Sequence, residues 1–139
     1  MLTIKFADNS EYAIHEDTTV YPSGNSTVRS RMEIHMAGDA MSLADFEALV
    51  TDAEKTETIR IIRTELEKRT NEATGEESQI EVVVSDIAYT AYTEVARRGK
   101  DRVDVTDHAT GVTTSETHLV AVLEQLTYME QQLRKLGLM

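Results

Sequence analysis

Residues 28–36 carry the most regular pattern in the chain, an alternation of apolar and polar side chains. The apolar members point to one side of an extended chain: Val28, Met32, Ile34 and Met36. The polar members point to the other side: Arg29, Arg31, Glu33 and His35. Because a period of two is typical of a β-strand with one face in a core, we predict a strand here. Its charged face then lies in solvent or is covered by another subunit.

Shorter alternations predict three antiparallel hairpins elsewhere in the chain. Their strands are expected within residues 2–15, at 57–64 with 79–85, and at 102–107 with 112–117. The segment 67–77 is predicted to be an exposed, mobile hairpin loop, because Ala73 is its only apolar residue. Segments 18–26 and 96–100 are predicted to be a loop and a basic turn.

The segment after Ala40 has the signals of a short internal helix. Ser42 is suited to the N-cap position, and Asp45 follows it at the spacing of a capping box. Met41 and Phe46 occupy the positions of a hydrophobic staple. We therefore predict a helix over residues 43–51.

The apolar run at residues 116–136 has two interpretations. As one helix it would present a narrow seam for a partner helix, formed by Leu119, Val122, Leu126, Met129, Leu133 and Leu136. Alternatively, β-branched residues favour a strand that ends near Leu123, and Thr127 with Glu130 has the spacing of a capping box that starts a new helix. The two interpretations differ over residues 117–127. We prefer the second, with a helix at about 128–136.

Together these elements predict an α+β fold in a single domain over residues 1–139. We expect a mainly antiparallel β-sheet of six to eight strands, sandwich or barrel-like, with one short internal helix and a C-terminal helix. No internal repeat and no second zone of composition divides the chain.

The composition excludes several classes of function. A net charge of −11, from 14 basic and 25 acidic residues, argues against general binding to nucleic acid or to an anionic membrane. The absence of cysteine excludes disulfides, thiolate metal sites and cysteine nucleophiles. The N-terminus has no secretion signal and no run of 18 apolar residues occurs, so we expect synthesis in the cytosol and no membrane span.

No motif predicts catalysis or a bound cofactor. The glycines match neither a dinucleotide nor a phosphate cradle, and no serine stands in a nucleophile motif. The four histidines have no recognised ligand spacing: His15, His35, His108 and His118. Residues 15–17 and 104–108 could each contribute ligands to a divalent ion, but solvated turns are the interpretation that we prefer. We therefore expect no enzyme, no catalytic or cofactor residues and no tightly bound metal.

The terminal helix leads us to expect a homo-oligomer. Met129, Leu133 and Leu136 would form a narrow apolar stripe on it, which must be covered by the same chain or by a neighbour. We prefer the neighbour, because a chain terminus is free to reach outward. The expected interface consists of Leu126, Met129, Leu133, Leu136, Arg29 and Arg31.

Five segments resemble small proteins encoded among the tail genes of siphophages and prophages of Gram-positive bacteria. They are MLTIKFAD at 1–8, VRSRMEIHM at 28–36, MSLADFEALV at 41–50, TIRIIR at 58–63 and LTYMEQQL at 126–133. The resemblance implies a non-enzymatic virion structural protein of the tail or baseplate, made in the host cytoplasm. It also implies assembly with itself, with a trimer favoured, and with other virion proteins. It carries no functional residues.

The alternative function is a monomeric ligand-binding module that recognises a host cell-surface glycan or peptide. Sugar sites generally stack the ligand on Trp or Tyr, and this chain has no Trp. Its tyrosines are Tyr12, Tyr21, Tyr89, Tyr92 and Tyr128. The composition therefore counts modestly against this alternative.

Overall fold

The computed structural model describes residues 1–25 and 27–138. Ser26, which belongs to the predicted loop 18–26, and Met139 lie outside the described residues. In chain order the elements are β1 Leu2–Lys5, β2 Glu11–Ile14, β3 Thr19–Tyr21, β4 Ser30–Ala37, α1 Leu43–Val50, α2 Ala53–Thr56, β5 Thr58–Thr70, β6 Glu77–Thr90, β7 Glu94–Thr106, β8 Thr113–Gln125 and α3 Tyr128–Lys135.

The strands form two four-stranded antiparallel sheets. The first sheet has the order β2-β1-β5-β6, and the second has the order β3-β4-β8-β7. All of their strand pairs are antiparallel. Side chains of both sheets meet in one hydrophobic core, which gives a sandwich-like arrangement. The predicted α+β fold with a mainly antiparallel sheet is confirmed, and among the described strands the sheets form no closed barrel.

The core is built from the inward faces of β4 and β8, as the period-two pattern requires. In register, Met36 lies opposite Leu119 and Ile34 lies opposite Ala121. The first sheet and α1 complete the core, chiefly with Leu2, Ile4, Ile59, Phe46 and Leu49. The buried face predicted for residues 28–36 is therefore confirmed for Met32, Ile34 and Met36, whereas Val28 lies before the strand and is exposed.

Both predicted helices are present, with the predicted caps. The Ser42 hydroxyl accepts a hydrogen bond from the Asp45 N–H at 3.1 Å and starts α1. At the C-terminus the interpretation as strand plus helix is confirmed, because β8 ends at Gln125 and Thr127 forms a capping box with Glu130. The short helix α2 was not predicted. None of the described helices is long and apolar enough to cross a membrane.

Three predictions of loops or turns are wrong, the one for residues 96–100 entirely and the other two in part. Strand β5 extends to Thr70 and strand β6 begins at Glu77, so only residues 71–76 form the turn between them. The predicted basic turn 96–100 lies inside β7, and β3 lies inside the predicted loop 18–26. The physical reason is that backbone pairing across a hairpin holds polar residues extended, without an apolar side chain to signal it.

Two long hairpins extend beyond the core. We call residues 64–83 the first arm and residues 101–117 the second arm. The first arm starts at a register shift between Arg63 and Thr64, just where β1 ends its pairing with β5. Within these two described segments no residue is buried. Apart from Glu116 and Thr117 at the base of the second arm, which contact His15 and Gly38, the arms are two-stranded ribbons that the other described residues leave exposed.

This division of the chain predicts contrasting effects of two identical substitutions. Leu119→Ala removes a fully buried side chain and should lower the free energy of unfolding by about 2–5 kcal/mol. Leu66→Ala, in the first arm, removes an exposed side chain and should change it by no more than about 0.5 kcal/mol. Urea denaturation of dilute protein measures both. Similar losses from the two variants would contradict the proposed boundary of the core.

Candidate functional site

The outer face of the second sheet brings together histidines that are far apart in sequence. Glu33 and His35 share this face of β4, because residues two apart in a strand point the same way. Glu116 and His118 share it on β8. His35 lies opposite Val120, and His118 lies opposite Ala37. The two imidazole rings are therefore diagonal neighbours, within reach of each other across the strand pair.

Four of these side chains form a continuous line of close polar contacts. His35 Nε2 lies 3.0 Å from Glu33 Oε1. His35 Nδ1 lies 3.0 Å from His118 Nδ1. At the other end, His118 Nε2 lies 3.0 Å from Glu116 Oε2. The order is therefore carboxylate, imidazole, imidazole, carboxylate. We call these four residues, together with His15 and Asp17, the histidine cluster.

The segment that follows β2 covers the cluster. The His15 ring lies on that of His118, with centroids 4.5 Å apart. The His15 N–H donates to the His35 carbonyl at 2.8 Å, and the His35 N–H donates to the Thr18 hydroxyl at 3.1 Å. As a result the exposed fractions of His35 and His118 are only 6% and 1%, although they lie on the outer face of the sheet.

Gly38 allows the end of β4 to approach β8 closely beside the cluster. Its N–H donates to the carbonyl of Thr117 at 3.0 Å. A Cβ at this position would lie 2.6 Å from that same carbonyl oxygen, which is too close for any side chain. The absence of a side chain at Gly38 therefore helps to fix the position of His118 relative to His35.

The hydrogen positions in this line follow from the chemistry of its ends. A carboxylate only accepts hydrogen bonds, so the Nε2 atom facing it must carry a hydrogen in both histidines. Each neutral ring then presents a lone pair at Nδ1, and two lone pairs 3.0 Å apart repel each other. With these hydrogen positions, a metal ion bound by the two Nδ1 atoms would satisfy both lone pairs.

Sequence reasoning placed these residues in separate turns and strands and did not bring them together. His15 and Asp17 do come close, with 3.6 Å between His15 Nδ1 and Asp17 Oδ2. His108 lies in the exposed turn of the second arm and takes no part. A signal is present in the sequence, because Glu-x-His occurs at 33–35 and again at 116–118. In strands this spacing directs the carboxylate and the imidazole to the same face.

The second candidate site is the apolar stripe predicted on the terminal helix. Met129, Leu133 and Leu136 have exposed fractions of 59%, 38% and 74%, and no described residue of α3 is buried. Leu126, just before the helix, is partly buried. The sequence left open whether the same chain or a neighbour covers this stripe. The hydrophobic core of this chain does not cover it.

Ion pairs hold α3 in place from its polar side. Arg29 Nε donates to Glu130 Oε1 at 2.9 Å, and Arg29 Nη1 donates to Glu124 Oε1 at 3.2 Å. Near the other end of the helix, Arg134 pairs with Glu94 at 2.9 Å. Arg29, predicted to lie at an oligomer interface, thus makes its contacts within the chain, whereas Arg31 keeps a mostly exposed side chain.

No protein-family model matches this chain, and comparisons with curated proteins and with solved structures likewise return no match.

The ion pair at α3 predicts a pH dependence. The hydrogen bond from Arg29 lowers the pKa of Glu130 from 4.5 to about 2 in the folded protein. A depressed carboxyl pKa contributes stability above the unfolded value, and this contribution is lost as pH falls. We expect the amide signals of α3 to shift in NMR spectra between about pH 4.5 and pH 2. Glu130→Gln should remove this transition.

Glu76→Gln is the matched control, because Glu76 is exposed in the turn of the first arm. It should leave the transition of α3 unchanged. Amide signals that stay constant over this range in the wild-type protein would show that the pair with Arg29 does not hold the helix.

Proposed function

We propose that the protein is a non-enzymatic structural protein of a virion that works as a homo-oligomer, with the apolar stripe of α3 at the contact between copies. The observation that carries this proposal is the combination found at α3. The helix is fixed in orientation by Arg29 and Arg134, and its apolar side chains are nevertheless in water.

The energetics favour coverage of this stripe by a second copy. An eight-residue helix is marginal alone in water and gains most of its stability from packing. Burying Met129, Leu133 and Leu136 would contribute roughly 1.5–3 kcal/mol of transfer free energy for each side chain. A symmetric contact doubles the number of buried side chains, because each copy supplies the same stripe.

The two arms support the same function independently. A two-stranded ribbon is at best marginally stable in water and needs something to pack against. The first arm exposes Leu66 and Val83, and Val84 and Ile87 are exposed further along β6. Strands β6 and β7 also lie at the edges of their sheets, where their free backbone groups can pair with another chain.

The resemblance to phage tail proteins is the basis for proposing where in the virion the protein lies and how many copies assemble. On that basis we propose a component of the tail or baseplate, synthesised in the bacterial host cytoplasm, with other virion proteins as further partners. The trimer is favoured for the same reason. The alternative, a monomeric module that binds a host-surface glycan or peptide, predicts a single chain in solution, so one measurement separates the two functions.

The test is the molar mass in solution, by light scattering at tens of micromolar. We expect the wild-type mass to be a multiple of the 15.6 kDa of one chain. Leu133→Asp with Leu136→Asp places two charges on the stripe and should give a folded protein of 15.6 kDa. The control, Ala40→Asp with Ala53→Asp, adds the same charge at exposed positions outside α3 and the arms, and should keep the wild-type mass.

Two results would contradict the proposal. A wild-type protein with the mass of one chain would favour the ligand-binding alternative. An oligomer whose mass is unchanged by the substitutions in α3 would leave assembly in place but move the contact to another surface, with the arms as the next candidates.

A further inference from the structure

We infer that His35, His118 and Asp17 form a binding site for a divalent transition-metal ion, which joins β4, β8 and the segment after β2. This site is separate from the apolar stripe of α3, and its test does not depend on the oligomeric state. It revises the expectation from the sequence that no metal is bound.

The first argument is the orientation of the two rings. Metal-bound histidines usually donate their second ring N–H to a carboxylate, which fixes the ring and directs the other nitrogen at the ion. Here Glu33 and Glu116 occupy that position, each 3.0 Å from an Nε2 atom. Both Nδ1 atoms are thereby left as acceptors, and they lie 3.0 Å apart.

The second argument is the distance between the two nitrogens. Metal–nitrogen bonds of about 2.0–2.1 Å place two nitrogens about 3.3–3.4 Å apart in a tetrahedral site and about 2.8–3.0 Å apart where they subtend about 90° at the ion. His35 Nδ1 and His118 Nδ1 are 3.0 Å apart, which matches the second spacing. A metal ion would also remove the repulsion between the two lone pairs.

Asp17 supplies a third ligand of the right kind. One of its carboxylate oxygens lies within 4.8 Å of a ring nitrogen of each of the two histidines. Its backbone N–H donates to His15 Nδ1 at 3.1 Å, which anchors the residue beside the cluster. Two imidazoles and one carboxylate suit zinc, cobalt, nickel or iron, whereas calcium and magnesium prefer sites made of oxygen.

His15, Glu116 and His118 form a competing set that lies equally close together. The ring nitrogens that face Glu116, however, are unsuited to bind a metal ion. His15 Nδ1 accepts a hydrogen bond from the Asp17 N–H, so in the neutral ring the hydrogen is on Nε2, the atom that faces Glu116. His118 Nε2 likewise carries the hydrogen that it shares with Glu116. Neither nitrogen offers a lone pair on that side.

The direct test is titration of chelator-treated protein with zinc chloride in a calorimeter, followed by cobalt chloride with absorption spectroscopy. We expect one ion per chain and a higher melting temperature, because a ligand of the folded state stabilises it. Nitrogen NMR of the histidine rings should show that the metal shifts Nδ1, and not Nε2, of two rings. This readout uses the wild-type protein and needs no variant.

Variants separate the two ligand sets. Asp17→Asn and His118→Gln should abolish stoichiometric binding, and Glu116→Gln, which removes only the carboxylate behind the ring, should weaken binding about 10–100-fold. The distant control His108→Gln should keep one ion per chain, and His15→Gln, which removes the acceptor that anchors Asp17, should weaken binding less than Asp17→Asn does. Binding that is lost in His15→Gln but retained in Asp17→Asn would overturn this ligand set. No uptake of metal by the wild-type protein would overturn the proposed site.

Discussion

The antiparallel pairing of β4 with β8 is the constraint on which the other features depend. Its register runs from Ser30 opposite Gln125 to Ala37 opposite His118. One face of this pair forms the core and the other carries the histidine cluster. A slip of one residue would exchange the two faces, placing charged side chains in the core and apolar ones outside. The same pairing sets Arg29, just before β4, beside Glu130 at the start of α3.

The arms show what happens where this constraint ends. Beyond the core, the hairpins are held by backbone pairing and by contacts across the strands, such as Thr64 Oγ1 to Glu81 at 2.6 Å and the Thr106 to Thr113 hydroxyls at 2.9 Å. Cross-strand pairs of this kind contribute only about 0.2–1 kcal/mol each. The free energy that orders the arms must therefore come partly from elsewhere, and assembly with other copies is the source that we propose.

Sequence reasoning succeeded where the signal is local. The alternation of Met32, Ile34 and Met36, the cap at Ser42 and the capping box at Thr127 each depend on residues within one turn or strand, and each is present. Sequence reasoning did not predict the length of the arms, because the polar residues paired in them have the composition of a loop.

The histidine cluster was beyond local reasoning for a different reason. Its assembly requires the register between β4 and β8 and the path of residues 15–18 over the sheet. Neither is encoded in any single segment. The face of β4 that bears His35 was therefore assigned to solvent or an interface, and Arg31 is indeed exposed there, whereas His35 itself is buried. The exposure of Leu136 likewise could not be predicted from its own segment, because it depends on other residues forming the core without it.

Net charge opposes the assembly that we propose, and the balance can be measured. Each chain carries −11, so copies repel one another, but this repulsion is screened over about 10 Å at 0.1 M salt and about 3 Å at 1 M. Burial of the apolar stripe on α3 is not weakened by such screening. We therefore expect sodium chloride to strengthen self-association, as measured by sedimentation of dilute protein. Weaker association at high salt would mean that ion pairs between chains, with Arg31 the first to test, outweigh the contact between helices.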